Sequence, residues 1–286
     1  ICWQTCFSEF HAFLREIEVI NLFLPSANVM GVAHRLRPVY LVLTSSEAPA
    51  IKLVKKLSSK YLEAYGPFNR SKTLRNAISI LNETLGLRDC AEKTPIHFAN
   101  QKTLLGLLPL FGCMRHEIGN CLGPCAGGCD KKSYLSKLVQ LKGYLKGEVG
   151  PVLEILRMQM SEFANRLQFE FAGLIKQKIH TLEVFAQILV KVKDLGKLNF
   201  LYWQKLKNGM FVINIIHEGV LVHSEIVEQF DSKRSLSKPI LEKIRLKMKD
   251  SSQVLWASFQ KLLIQRWFKK MKKELEQTIS LPKGIG

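Results

Sequence analysis

The spacing of apolar residues along the chain predicts a mixture of helices and strands. Apolar positions at three- and four-residue steps predict helices over residues 8–23, 71–85, 131–146, 151–189, 237–249 and 252–278. Runs rich in β-branched and aromatic residues predict strands over residues 38–44, 200–206, 210–216 and 220–227. The predicted fold class is therefore α+β.

Turn and cap residues mark the ends of several elements. Ser71 is expected to begin one helix and Gly86 to end it. Asn208-Gly209 and Glu218-Gly219 are expected to join the last three strands as a small antiparallel meander. Tyr65-Gly66-Pro67-Phe68 predicts a turn.

The net charge of the chain indicates a class of binding partner. The net charge is +18, from 42 Lys and Arg against 24 Asp and Glu. Such an excess attracts phosphate backbones or anionic membrane surfaces, and we favour nucleic acid over charge that serves only solubility. No apolar run reaches the length of a membrane span and no signal peptide is visible. We therefore expect a cytoplasmic, reducing location and no membrane partner.

Four of the seven cysteines lie within residues 111–129, which read F-G-C-M-R-H-E-I-G-N-C-L-G-P-C-A-G-G-C. The glycines and the proline predict a tight loop. Closely spaced thiols on a loop indicate either a metal site or a disulfide knot, and a reducing compartment favours the metal. Cys2 and Cys6 are expected to serve packing only.

The core of this loop, I-G-N-C-L-G-P-C, resembles the cysteine-rich segment of the UvrC/Cho family of nucleotide-excision-repair endonucleases, and the L-R-x-C that ends at Cys90 belongs to the same pattern. The resemblance implies an iron–sulfur cluster, with four ligands: Cys90, Cys113, Cys121 and Cys125. Zn²⁺ is equally allowed by thiolate ligation. Cys129 repeats the four-residue step of the loop, so its role stays open.

Residues 154–183 resemble the UVR motif, through the pattern A-x-x-L-x-F-E-x-A at residues 164–172. The resemblance implies a UvrB-like helicase protein as partner, contacted by Leu167, Phe169, Glu170, Phe171 and Leu174. An ordinary helical hairpin is the alternative, but the apolar stripe is longer than a hairpin can bury by itself. Where the motif continues with L-R-D, this chain has Leu174-Ile175-Lys176, so its charge pattern differs.

The first helix resembles a helix of the GIY-YIG nuclease domain of the same family. Glu16 aligns with a metal-binding glutamate, which implies a ligand for Mg²⁺ or Mn²⁺, and Asn28 aligns with a catalytic asparagine. Without the resemblance, Glu16 would be interpreted as a solvated surface residue. The two motif tyrosines and the arginine precede this helix in the family and are not found in this chain. Because phosphodiester hydrolysis needs more groups than one carboxylate, we expect these 286 residues to lack nuclease activity alone.

The resemblance covers about residues 7–227 and implies four segments. They are the C-terminal part of a GIY-YIG-like nuclease domain (1–89), a cysteine-rich segment (90–129), a UVR-like helical hairpin (130–190), and a β-meander with basic helices (191–286). The implied function is incision of damaged double-stranded DNA by metal-dependent hydrolysis, with UvrB as partner. The alternative is a non-catalytic, truncated or degenerate UvrC-like module that binds DNA or a partner protein.

Overall fold

The computed structural model describes residues 3–23, 38–99, 112–195, 198–230 and 254–281. Its helices are α1 (Glu9–Phe23), α2 (Lys72–Leu85), α3 (Met114–Glu117), α4 (Lys131–Lys146), α5 (Gly150–Asn165), α6 (Phe169–Leu195), α7 (Val254–Lys270) and a 3-10 helix (Lys272–Gln277). Its strands are β1 (Pro38–Thr44), β2 (Ile51–Val54), β3 (Tyr61–Asn69), β4 (Phe200–Lys205), β5 (Phe211–His217), β6 (Val220–Val227) and β7 (Thr278–Ser280). The predicted α+β class is confirmed.

Contacts divide the described chain into two units. One unit combines α1 with the elements from β4 onward, and the other runs from β1 into α6, apart from the last residues of β3. The predicted segment 1–89 is therefore divided, because α1 packs with the later elements of the chain. The functional assignment of the four segments stays a prediction.

The unit that begins with β1 contains a three-stranded sheet in the order β2-β1-β3. β1 and β2 are antiparallel, with Leu41 opposite Leu53. The predicted turn at residues 65–68 is wrong, because these residues lie inside β3. β3 is an edge strand, which is the position in a sheet where proline is tolerated.

Both predicted caps of α2 are confirmed. The Ser71 side chain accepts a hydrogen bond from the backbone N–H of Leu74 at 3.1 Å. Gly86 ends the helix in the left-handed conformation, at φ 65°. The helix directs its buried apolar face, which includes Leu74 and Leu81, into the core of this unit.

The long helix predicted over residues 151–189 is wrong, because the chain turns between α5 and α6. Leu167 is left-handed, at φ 59°, and the backbone N–H of Gln168 donates to the carbonyl of Phe163 at 2.9 Å. The result is a helical hairpin. α6 is tied to α4 by the hydroxyl of Tyr144, which donates to the carbonyl of Leu182 at 2.6 Å.

The other unit contains an antiparallel sheet in the order β6-β5-β4-β7. The three predicted strands of the meander are confirmed. The predicted helix over residues 252–278 is wrong in its last part, because α7 ends at Lys270 and β7 pairs with β4, Ile279 opposite Leu201. The helix predicted over residues 237–249 lies outside the described residues.

The apolar core of this second unit joins α1 to α7 and to the sheet. Its largest buried members are Phe10, Leu14, Ile17, Tyr202, Ile216, Trp267 and Phe268. The Phe10 ring meets the Tyr202 and Trp267 rings edge-on, at centroid distances of 5.2 and 5.4 Å. None of the described helices is long and apolar enough to cross a membrane.

Candidate functional site

The cysteine-rich loop packs on the end of α2. The backbone N–H of Leu122 donates to the carbonyl of Gly86 at 2.8 Å. A Cβ atom at Gly86 would lie 2.9 Å from Cγ of Leu122, so this close approach requires a glycine. The contact places the segment after α2, which carries Cys90, beside the loop that carries Cys121.

A second set of backbone hydrogen bonds holds the far side of the loop. His97 donates its N–H to the carbonyl of Pro124 at 2.9 Å, and Gly127 donates back to the carbonyl of His97 at 2.9 Å. Ala99 donates to the carbonyl of Cys129 at 2.9 Å. Backbone hydrogen bonds therefore hold the loop on both sides, and their partners lie in segments that precede the loop in the sequence.

The four cysteines predicted as ligands line one cavity of about 360 Å³. Its walls contain Cys90, Cys113, Cys121 and Cys125 together with Arg88, Asp89 and Arg115. All six cysteines that the structure describes are free thiols, so within that part of the chain a disulfide knot is not formed. Cys129 is buried and is absent from the cavity wall.

The surroundings of Cys121, Cys125 and Cys129 favour the neutral form of these three thiols when no metal is bound. Burial raises the pKa of Cys121 and of Cys125, and neighbouring thiolate charge raises both further. Burial also raises the pKa of Cys129, to about 11. A bound metal cation would reverse this, because coordination deprotonates a thiol.

Two arginines line the cavity, and one of them is paired with a carboxylate. Arg115 pairs with Asp89, at 2.9 Å between Nη1 and Oδ2. Arg88 is 2% exposed, and its Nη2 donates to the carbonyl of Ala91. Nε and Nη1 of Arg88 have no hydrogen-bond partner among the described residues. A cavity with four thiols and a buried, incompletely paired guanidinium fits an anionic metal–thiolate group.

The four thiols line the same cavity, but they are not arranged with the geometry of an ion-binding site. Among the described residues, no group of three or more His, Cys, Asp or Glu side chains is arranged to hold a metal ion. The four thiols thus share a cavity, and both the metal centre and its ligand assignment stay predictions.

The five residues predicted to contact a partner lie at the turn of the α5–α6 hairpin and on the first turns of α6. They are Leu167, Phe169, Glu170, Phe171 and Leu174, and all are exposed. Leu167 is the most exposed of the four apolar members, at 75%. We call these five residues the hairpin tip. An apolar group this exposed is typical of a binding surface.

A groove of about 710 Å³ begins at the hairpin tip. Phe171 and Leu174 line it from α6, and Ile80 lines it from α2. One wall is fixed by an ion pair between Lys178 and Glu83, at 2.6 Å between Nζ and Oε1. The hairpin tip is therefore continuous with a concave surface of the same unit.

The predicted nuclease residues are not brought together in the described structure. Glu16 lies on the exposed face of α1, opposite the buried Leu14 and Ile17. Asn28 lies outside the described residues. The role of Glu16 in binding Mg²⁺ or Mn²⁺ stays a prediction.

Sequence reasoning missed Arg88 and His116. Arg88 precedes Cys90 by two residues in the L-R-x-C pattern, which was the available signal. His116 lies inside the loop, and its Nδ1–H donates to the carbonyl of Cys121 at 3.0 Å. No spacing rule distinguishes a histidine that shapes a loop from one on its surface.

Comparison with known proteins finds relatives for the part of the chain that contains the cysteine-rich loop. Residues 38–143 match the model of the family described as "UvrC/Cho excinuclease, middle domain". The chain is similar to the UvrABC system protein C of Chlorobium phaeobacteroides, at 27% identity over 221 residues, which is 76% of this chain and 34% of that protein. It is also similar to the protein of that name from Christiangramia forsetii, at 25% identity over 258 residues, or 88% of this chain and 42% of that protein. The chain thus spans between a third and a half of these relatives, and no solved structure matches it.

Proposed function

We propose, because residues 38–143 match the middle domain of the UvrC/Cho excinucleases, that this chain acts in nucleotide excision repair as part of a UvrC-type excinuclease. The observation that carries the proposal is the cavity in that domain, lined by Cys90, Cys113, Cys121 and Cys125. The family resemblance of the loop and the geometry of the cavity select the same four thiols.

We propose that these four thiols hold an iron–sulfur cluster, with Zn²⁺ as the alternative. Four thiolates on one cavity of about 360 Å³ are the usual ligand set of an iron–sulfur cluster, and they are also allowed for Zn²⁺. When bound, the group would cross-link the segment after α2 to the loop, and so stabilise the fold by metal–ligand bonds. This role is structural and leaves the cutting chemistry to other residues.

The test is metal analysis of the purified chain and of single Cys→Ser variants. We expect iron and sulfide, with visible absorbance, to be lost in Cys121→Ser and in Cys125→Ser. Cys6→Ser is the matched control, because Cys6 is exposed and distant in sequence from the loop, and it should retain full metal content. Colourless protein with stoichiometric zinc would overturn the cluster and keep the ligand set.

We propose that the hairpin tip binds a UvrB-like helicase protein. Support comes from the exposure of Leu167, Phe169 and Phe171, and from the groove that continues their surface. Aromatic anchors of this kind often dominate the energy of an interface. We expect Phe169→Ala to weaken binding at least tenfold, and Glu170→Lys to weaken it if the partner surface is basic, both measured by calorimetric titration with the partner.

We propose that the +18 net charge serves DNA binding. Phosphate contacts release counterions, so the logarithm of affinity should fall linearly with the logarithm of salt concentration. Binding to damaged duplex DNA that is absent or independent of salt would contradict the proposal.

Incision itself is proposed for the complete excinuclease, with Glu16 and Asn28 contributing to an Mg²⁺ or Mn²⁺ site. The second candidate is a non-catalytic module, and it is favoured by Leu174-Ile175-Lys176, which stand where the UVR motif has L-R-D. Cleavage of damaged duplex by the complete excinuclease with Mg²⁺, abolished in Glu16→Gln, would decide for the enzyme. Cleavage that Glu16→Gln leaves unchanged would remove Glu16 from the proposed site.

A further inference from the structure

We propose that Arg88 is the buried counter-ion of the metal–thiolate centre, a positioning residue whose charge retains the centre. This inference rests on the metal centre proposed above. It adds a residue that ligand spacing does not reveal.

The first step is that the charge of Arg88 is fixed. Arg88 is 2% exposed, and a guanidinium keeps its proton at any pH a protein survives. A buried charge without a partner is strongly unfavourable, whereas a histidine or lysine in its place could become neutral. Arg88 therefore needs a negative partner in its surroundings.

The second step is that the described residues supply no such partner. Nη2 uses the carbonyl of Ala91, and Nε and Nη1 are without hydrogen-bond partners in the described part of the chain. The acidic side chain on the same cavity wall, Asp89, bonds to Arg115 at 2.9 Å. Arg88 is one of the residues that line the thiol-lined cavity.

The third step is the charge of a filled cavity. Four thiolates around a core of charge 2+ carry two net negative charges, whether the core is Zn²⁺ or an iron–sulfur cluster in its oxidised state. Arg88 and Arg115 both line the cavity, and Arg115 is already neutralised by Asp89. Arg88 is therefore the uncompensated cation that the filled cavity requires.

The charge of Arg88 is therefore expected to change stability in opposite directions in the metal-free and the metal-loaded protein. In the metal-free chain the charge of Arg88 is uncompensated and destabilising. In the loaded chain the same charge is paired and stabilising. A residue that only held the local backbone, through its bond to Ala91, would stabilise both states.

The experiment compares Arg88→Met, which removes the charge and keeps the bulk, with Arg88→Lys, which keeps the charge. Arg157→Met is the matched control, because Arg157 is a half-exposed arginine of α5 in the same unit. Each 286-residue chain is prepared metal-free, reconstituted with iron and sulfide, and separately loaded with Zn²⁺. Melting temperature and the rate of metal release to a chelator are then measured.

We expect Arg88→Met to release metal at least tenfold faster than the parent chain and to raise the melting temperature of the metal-free form. Arg88→Lys should release metal within a few-fold of the parent rate, and Arg157→Met should match the parent in every measurement. If iron is the metal, the reduction potential of Arg88→Met should become more negative, because a nearby positive charge is lost.

Release at the parent rate in Arg88→Met, or equal destabilisation of its loaded and metal-free forms, would overturn the inference while the metal centre stands. Failure of the parent chain to bind iron or zinc would overturn the metal centre and this inference together.

Discussion

The imidazole ring of His116 occupies the space that a side chain at position 128 would need. A Cβ atom on Gly128 would lie 2.4 Å from Cε1 of His116, and one on Gly123 would lie 2.6 Å from its Cγ. The ring is fixed by its hydrogen bond to the carbonyl of Cys121. The loop is therefore folded around His116, and Gly123 and Gly128 are required by this contact.

We expect Gly128→Ala to destabilise the loop by about 1–3 kcal/mol, as overpacking does elsewhere, and to reduce metal content. The added methyl must displace the His116 ring or open the turn that presents Cys121. Urea denaturation and metal analysis measure the two effects.

Gly173→Ala is the control for this substitution. Gly173 lies in α6 and a Cβ atom there would meet nothing within 4 Å. We expect it to stabilise the chain by about 0.5–1 kcal/mol, the usual gain for alanine in a helix. Equal behaviour of the two variants would show that the contact with His116 is dispensable.

Leu167 is expected to serve binding at a cost to stability. It is left-handed, at φ 59°, and 75% exposed, and a left-handed L-residue costs about 1–2 kcal/mol. Because asparagine tolerates this conformation, Leu167→Asn should keep or raise the melting temperature while it weakens binding of the UvrB-like partner. Val139 is an exposed residue of α4, and Val139→Asn is the control that should leave binding unchanged. Undiminished affinity in Leu167→Asn would exclude Leu167 from the interface.

Glu274 is expected to hold the segment after α7 on the sheet. Its carboxylate accepts hydrogen bonds from the Tyr202 hydroxyl and from the Trp267 indole N–H, the latter at 2.7 Å. Glu274→Ala leaves two donors unpaired, at a cost of about 1–3 kcal/mol each where they are buried. Glu276→Ala, exposed in the same 3-10 helix, should change the free energy of unfolding by less than about 0.5 kcal/mol. Similar losses in both variants would argue against the network.

His11 makes the stability of its unit depend on pH. Burial lowers the pKa of His11 below 6.5, although a hydrogen bond to Asn214 opposes this. Because the unfolded chain then takes up the proton first as pH falls, the contribution is complete above pH 6.5 and decreases below it. His11→Gln should show a smaller loss of unfolding free energy between neutral and mildly acidic pH. Identical pH dependence in both chains would assign the loss to other groups.

Local signals explain which parts of the fold were predictable. Ser71 and Gly86 bound α2 because capping chemistry acts within one turn, and Asn208-Gly209 joins β4 to β5 for the same reason. The break at Leu167 had no such signal, because the apolar period continues through it and no glycine marks it. β7 has three residues, and its pairing with β4 depends on contacts distant in sequence.

The candidate site was also predictable only in part. Family resemblance selected the four thiols, and the structure places them on one cavity. Arg88 was not predicted because arginine is almost never fully buried, and only the three-dimensional surroundings show its unpaired nitrogens.

The grouping of α1 with α7 has a consequence for how the protein is made. During synthesis α1 leaves the ribosome before the whole of the β1–α6 unit, yet its apolar residues Phe10, Leu14 and Ile17 are fully covered only after the later sheet and α7 have emerged. The unit that contains the four candidate ligands can therefore finish folding while α1 is still unpacked. During that time the apolar face of α1 is accessible to chaperones and proteases. Until α7 has emerged, α1 is therefore the element that quality-control proteins are expected to bind.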